Sequence, residues 1–270
     1  MGGFSDRLSE RIEESGSLLC VGLDPAPDLV LDDQSAGARD PLFEWGRQVI
    51  SQTHPFVCAF KPNLAFYEAR GSGGIASLER IMEYLGSEHP RIPVIGDAKR
   101  ADIGSTSEAY AGFLFDRLGF DAVTLNPWLG RDALQPFLDR PERGCVILCR
   151  TSNPGADDLQ ALEVGGELLW QRVARMVAED WNDLGNCLLV MGATRPEDLR
   201  TARGLVGDMT FLVPGVGPQG GRLEEVLAAG LNPDGRGLII NSSRGVTTSA
   251  DMAGAASQLA AAINRARGTR

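Results

Sequence analysis

Asp97, Lys99, Arg100 and Asp102 fall within six positions of the stretch "GDAKRADIGST" (96–106), directly after the apolar run "IPVI". On a strand, residues two apart point to the same side, so Asp97 and Lys99 are expected to project together from its end. The chain then turns through Arg100 and Ala101. Asp102 falls in a loop before a helix that Ser105 can cap, with Glu108 completing a capping box. A second lysine, Lys61, follows the apolar run "VCAF" and belongs at the end of the neighbouring strand. Two lysines and two carboxylates in a partly buried mouth hold one another ionised. A lysine flanked in this way stays protonated, which suits a proton donor and disfavours a Schiff-base nucleophile, whose amine must be neutral. For the stretch taken alone, the alternative is a structural salt-bridge network that closes one end of the fold.

Anion binding is the second chemical signal. "PGVGPQGG" (214–221) supplies four glycines with accessible backbone N–H groups and one long amide side chain, Gln219. "NSSRG" (241–245) places Ser243 and Arg244 at the start of a helical region. A Gly-rich loop alone is weak evidence of a phosphate site in a chain with 33 glycines, and the pairing with Arg244 strengthens it. The segment "RTSNPG" (150–155) reads equally as a plain turn and as a loop offering Thr151 and Ser152 to a ligand.

Eight short apolar runs must position these groups: those near 17, 56, 93, 121, 144, 186, 209 and 237, each ending in polar or turn residues. Helical periodicity fills the intervals at 41–53, 75–85, 105–118, 164–184, 195–205, 222–229 and 249–266, with a shorter stretch around 131–139. Near-continuous apolar strands alternating with helices describe a parallel sheet covered by helices, and eight such units fit a (β/α)8 TIM barrel of α/β class. No low-complexity linker interrupts the chain, so 1–270 reads as one domain, with "ARGSGG" (69–74) as a connecting loop. Phe4, Leu8 and Ile12 recur at helical spacing, so a short helix over about 4–15 closes one end. Barrel active sites lie at the C-terminal ends of the strands. Those ends carry Asp24, Lys61 with Asn63, Asp97 with Lys99, Asn126, "RTSN", "PGVGPQGG" and "NSSRG". In barrels the loops after the seventh and eighth strands commonly hold phosphate, which is where Gln219 and Arg244 fall.

Composition narrows the function classes. A formal net charge of -10 and a pI near 4.8 disfavour a general binder of nucleic-acid backbones. The five cysteines sit mostly in apolar runs without a CxxC pair, and with only two histidines a zinc site is not expected; reduced, buried thiols are. The N-terminal segment has no apolar core of signal-peptide or membrane-anchor length, so a cytoplasmic location without membrane association is the simplest expectation. His54 and His89 each precede a proline in a connection and read as structural.

"DAKRADIGST" resembles the D-x-K-x-x-D-I-x-x-T signature of orotidine 5'-phosphate decarboxylases of the longer bacterial group. The resemblance runs through "GLDP" (22–25), "FKPNLAFYE" (60–68), "RTSNPG", "PGVGPQGG" and "NSSRG" in order. It implies a cofactor-free, metal-free decarboxylation of orotidine 5'-monophosphate to uridine 5'-monophosphate in pyrimidine biosynthesis. Lys99 would be the proton donor, with Asp97, Asp102 and Lys61 in its charge network. It further implies that Asp24 and Lys61 bind ribose hydroxyls, that Ser152 contacts the pyrimidine, and that Gln219, Ser243 and Arg244 hold the 5'-phosphate. Asp102 and Thr106 would reach across the interface of a homodimer. Two alternatives belong beside it. Magnesium-dependent sugar-phosphate decarboxylases and synthases share D-x-K-x-x-D but carry an acidic residue where Lys61 stands. A non-catalytic pyrimidine-nucleotide-binding barrel would have no use for the lysine–carboxylate array.

Overall fold

The computed structural model describes residues 2–25, 40–216 and 223–268. Each apolar run becomes a strand: β1 (Leu19–Leu23), β2 (Ala59–Pro62), β3 (Ile95–Arg100), β4 (Ala122–Leu125), β5 (Gly144–Arg150), β6 (Cys187–Met191), β7 (Phe211–Pro214) and β8 (Leu238–Ser242). They are wholly parallel and run in the order β2-β1-β8-β7-β6-β5-β4-β3. Two isolated parallel bridges, Phe60 to Val94 and Asn63 to Asp97, join β2 to β3 and close the ring. The expected (β/α)8 barrel is therefore the observed fold. Helices cover its outside, so β1, β2, β4, β6 and β8 are buried along their whole length.

The N-terminal helix α1 (Phe4–Ser15) lies across the end opposite the charged strand ends. It buries Phe4, Leu8 and Ile12, and its polar side grips the barrel floor. Arg7 pairs with Asp121 just before β4, and Arg11 Nε donates to the Val57 carbonyl before β2 at 3.0 Å. The five cysteines are all buried free thiols, as their apolar settings require.

Three local expectations need correction. The periodic segment 164–184 does not begin as a helix: Glu163–Val164 and Glu167–Leu168 form a small antiparallel hairpin, because Gly165 and Gly166 take φ of +64° and +88°. The helix follows as α8 (Leu169–Met176), with a wider turn through Trp181. The "ARGSGG" segment is mostly helical, since α4 (Gly71–Glu88) starts at Gly71, immediately after the short α3 (Leu64–Glu68). Ser105 does not cap its helix, α5 (Gly104–Ala111). Gly104, at φ +53°, carries the chain into the helix one residue earlier, leaving Ile103 at the N-cap without a side-chain cap.

His54 and His89 meet on the barrel floor, where their rings stack at 4.3 Å between centroids. Each precedes a strand of the charged array, His54 at the turn before β2 and His89 at the end of α4 before β3. Both imidazoles lie below their ordinary pKa: desolvation and then the facing His89 and Arg11 lower His54, while desolvation and Arg11 lower His89 against the opposing pull of Glu88. The unfolded chain, with histidines near about 6.5, therefore takes up protons first, and stability falls as pH drops through that value. A His54→Asn/His89→Gln variant should lose less of its urea midpoint between pH 7 and pH 5 than the unsubstituted protein does. Equal losses would show that the pair is not a source of acid sensitivity.

Candidate active site

The charged groups converge at the C-terminal ends of β1, β2, β3 and β8. Lys61, only 3% exposed, extends its ammonium 2.9 Å from Asp97 Oδ2. Lys99 lies 2.6 Å from the other oxygen, Oδ1, with its side chain 49% exposed toward the mouth. A single carboxylate is thus shared by a buried and an accessible ammonium. Burial alone would raise the Asp97 pKa, but Lys61 and Lys99 hold it down to about 2. Desolvation likewise pulls Lys61 down, and Asp97 and Asp24 outweigh it, leaving its pKa raised.

Asp24 is the fourth member. Its Oδ1 accepts the Asn63 N–H at 3.1 Å, and its Oδ2 accepts the Ser243 hydroxyl at 2.5 Å, joining β1 to the ends of β2 and β8. That closeness explains Gly22: a Cβ there would stand 1.9 Å from Ser243 Oγ. The loop bearing Asp24 is fixed from behind, where the Tyr67 hydroxyl donates to the Leu23 carbonyl at 2.9 Å and Arg70 Nη1 to the Pro25 carbonyl at 3.1 Å. The observed array is Asp24, Lys61, Asp97, Lys99. Asp102 is not part of it within its own chain: its Oδ1 accepts the N–H of Ile103 at 2.7 Å, past the point where the chain has left β3. Thr106 stands exposed on the first turn of α5.

Simple alternation fails at Lys99, even though the expected pair forms. Its φ is +49°, the sole positive value for a non-glycine among the described residues. The β3–β4 register passes from Gly96 opposite Val123 to Arg100 opposite Leu125, so Asp97, Ala98 and Lys99 stand opposite the single Thr124. The buried Thr124 hydroxyl accepts the Lys99 N–H at 2.9 Å and donates to Asp97 Oδ1 at 2.9 Å. Residue typing alone passes over Thr124; its signal in "DAVTLN" is one hydroxyl inside an apolar run, two residues before a strand-end Asn.

Across the mouth, the "RTSN" loop is braced from beneath. Buried Arg150 donates through Nε to Asp198 at 2.8 Å and through Nη2 to Asp157 at 2.7 Å. Gln160 accepts from the Thr151 N–H at 2.9 Å and donates to its hydroxyl at 2.8 Å, while that hydroxyl donates to Asn153. Thr151 is thereby committed to the loop, and the exposed Ser152 hydroxyl is the one left available. Arg244 is exposed at the start of the short helix after β8, and its guanidinium has no hydrogen-bond or ion-pair partner among the described residues. Gln219 lies outside the described residues. Among those residues, no group of three or more His, Cys, Asp or Glu could hold a metal ion, and no helix is long and apolar enough to cross a membrane.

A parallel eight-stranded barrel with alternating carboxylates and ammoniums at its strand ends, and an exposed arginine at the end of the adjoining β8, defines an α/β-barrel enzyme for an anionic substrate. Residues 17–259 match the Orotidine 5'-phosphate decarboxylase / HUMPS family, and the chain belongs to it. An orotidine 5'-phosphate decarboxylase of Azoarcus sp. is 48% identical over 243 residues, which is 90% of this chain and 89% of that protein. One from Aromatoleum aromaticum is 47% identical over 264 residues, 97% of this chain and 95% of its own length. Among solved structures, the OMP decarboxylase of Leishmania donovani superposes with a TM-score of 0.88 at 41% identity, covering 99% of this chain and 100% of that one.

Removing the Asp97 charge leaves the Lys61 ammonium buried with Asp24 as the remaining carboxylate acting on it among the described residues. Asp97→Asn is therefore expected to destabilise the protein by on the order of 3–5 kcal/mol. Adding Lys61→Met should recover part of that loss, because the unpaired buried charge is then gone. Urea unfolding of the two variants measures both effects, and a double variant no more stable than Asp97→Asn would mean that Lys61 is not the group left stranded.

Proposed function

We propose that this barrel decarboxylates orotidine 5'-monophosphate to uridine 5'-monophosphate in pyrimidine biosynthesis, with Lys99 as the proton donor. The single observation that carries this assignment is the Asp24–Lys61–Asp97–Lys99 array, in a chain about half identical to decarboxylases of that name. Lys61 also separates the chain from the magnesium-dependent relatives: a buried ammonium bound to Asp97 occupies the place where a metal would need a carboxylate.

In the proposed reaction the bond from C6 of the pyrimidine to the carboxylate breaks, carbon dioxide leaves, and the electron pair stays on C6. The accessible Lys99 ammonium stabilises that developing charge and gives it a proton, and solvent then restores the lysine. The change is redox-neutral, so it draws on no electron acceptor. Asp97, kept ionised, holds the Lys99 ammonium in place until the carbanion forms. We assign the ribose hydroxyls to Asp24 and Lys61, the pyrimidine to Ser152, and the 5'-phosphate to Arg244 with Ser243, with Gln219, outside the described residues, expected there from the sequence motif alone. Binding energy from the phosphate can serve the transition state, so Arg244 belongs to rate as well as affinity.

The assembly we propose is a homodimer in which Asp102 and Thr106 complete the partner's site. Asp102 stands outside its own chain's array; the adjacent Ile103 is 61% exposed, and Trp128, in the turn after the neighbouring β4, is 67% exposed.

The decisive assay is loss of orotidine 5'-monophosphate absorbance by chelator-treated protein beside Lys99→Ala. Turnover is expected to survive chelation and to fall by about four orders of magnitude in the variant, in the range expected when a catalytic group is removed. Turnover that depends on added magnesium would transfer the assignment to the sugar-phosphate relatives, and nucleotide binding without turnover would make the chain a sensor. Mixing inactive Lys99→Ala and Asp102→Asn chains tests the dimer. If Asp102 acts across a two-fold interface, one site of each hybrid is intact, and random mixing restores about a quarter of full activity. No restoration would place Asp102 in its own chain's site.

A further inference from the structure

Lys99 poses a physical problem that the array itself does not solve. Its backbone sits at φ +49°, where a residue with a side chain remains only if its surroundings hold it there. Its N–H lies where the β3–β4 register jumps. The acceptor that N–H finds is not a carbonyl of β4 but the Thr124 hydroxyl, at 2.9 Å. The same hydroxyl spends its one proton on Asp97 Oδ1, again at 2.9 Å, and that is the oxygen on which the Lys99 ammonium rests at 2.6 Å. Three bonds thus form a closed circuit, from Lys99 N–H to Thr124 Oγ1, from Thr124 Oγ1 to Asp97 Oδ1, and from Lys99 Nζ to the same Oδ1.

Resting on the decarboxylase function above, we propose that Thr124 is a positioning residue, whose hydroxyl holds the backbone of Lys99 and the carboxylate of Asp97 in one register so that the ammonium meets C6. Donor count makes the assignment specific. Asp97 Oδ1 needs a donor on its buried side, the Lys99 N–H needs an acceptor, and only a hydroxyl supplies both from one atom. A valine of the same shape supplies neither. A serine supplies both, though without the methyl group that fixes the rotamer. Because Thr124 lies on β4 behind the carboxylate, its effect reaches the substrate through Lys99 and Asp97.

Thr124→Val, Thr124→Ser and Thr124→Ala separate this role from mere packing. With turnover counted per nucleotide-binding site, Thr124→Val should lower kcat on the order of 10²-fold, as expected for a reacting group displaced by about 1 Å. KM and uridine 5'-monophosphate affinity should stay within threefold, and Thr124→Ser should return kcat to within about fivefold of the unsubstituted enzyme. A packing role predicts the opposite order, with valine the best replacement and any loss appearing as reduced folded protein, not reduced kcat per site. Valine with unchanged kcat overturns the proposal. Should valine not fold, the serine and alanine pair decides it, and equal kcat in those two overturns it as well. A crystal structure of Thr124→Val, or of Thr124→Ala if valine does not fold, reads the same circuit without turnover: Lys99 is expected to leave positive φ, and retention of both that φ and the Nζ to Oδ1 contact overturns the role. An unsubstituted protein that does not act on orotidine 5'-monophosphate would refute the function instead, and the crystal structure would still decide whether Thr124 holds Lys99.

Discussion

The constraint on which this structure depends is one carboxylate, Asp97, that must stay ionised while 10% exposed at its side chain. A charge that deep is sustained only by partners at hydrogen-bond distance. Lys61 provides one from β2, Lys99 a second from the same segment, and Thr124 a third from β4. Lys61, buried in its turn, needs Asp97 and is further stabilised by Asp24, which is held by Ser243 from β8. The array is therefore a chain of obligations passing through five strands, β1, β2, β3, β4 and β8. The Lys99 ammonium at its accessible end inherits its position from all of them.

The two sides of the mouth are built differently. On the side of β1, β2, β3 and β8, placement comes from alternating charge. On the side of β5, it comes from the buried Arg150 fork to Asp157 and Asp198 and the Gln160 clamp on Thr151, which stiffen a loop whose next residue, Ser152, stays exposed. Each side keeps a few groups free and spends the rest on holding them. Ser152 and the Arg244 guanidinium are the free ones among the described residues, and Lys99 keeps an accessible ammonium while bound to Asp97, so the mouth presents a neutral hydroxyl, a guanidinium and an ammonium.

The sequence made the barrel legible because strands buried on both faces must be apolar, and several of the eight apolar runs end in the polar residues of the site. Lys61, Asp97 and Lys99 were legible as a cluster for the same reason. Two things were hidden. The strand period implies that Asp97 and Lys99 share a side by alternation, whereas they meet through a bulge and a left-handed lysine, and no local pattern encodes that distortion. Long-range partners were the other. Asp24 and Ser243 are 219 residues apart, and Thr124 touches the array only because β4 lies beside β3. The "EVGGEL" hairpin was concealed by flanking residues that keep helical spacing, although its paired glycines are the signal that a turn intervenes.

The joint between β2 and β3 carries a consequence of its own. Seven of the eight strand junctions are hydrogen-bonded ladders, two of them with a register shift, while this one consists of two isolated bridges, one of them between Asn63 and Asp97. Where backbone pairing is sparse, side chains must do the sealing, and the side chains that cross this joint are Lys61 and Asp97. The ring is thus fastened by the same ion pair that organises the chemistry, like a belt whose buckle is also its working part. In this chain, a change that breaks the Lys61–Asp97 pair therefore loosens the seam of the barrel as well as the charged array.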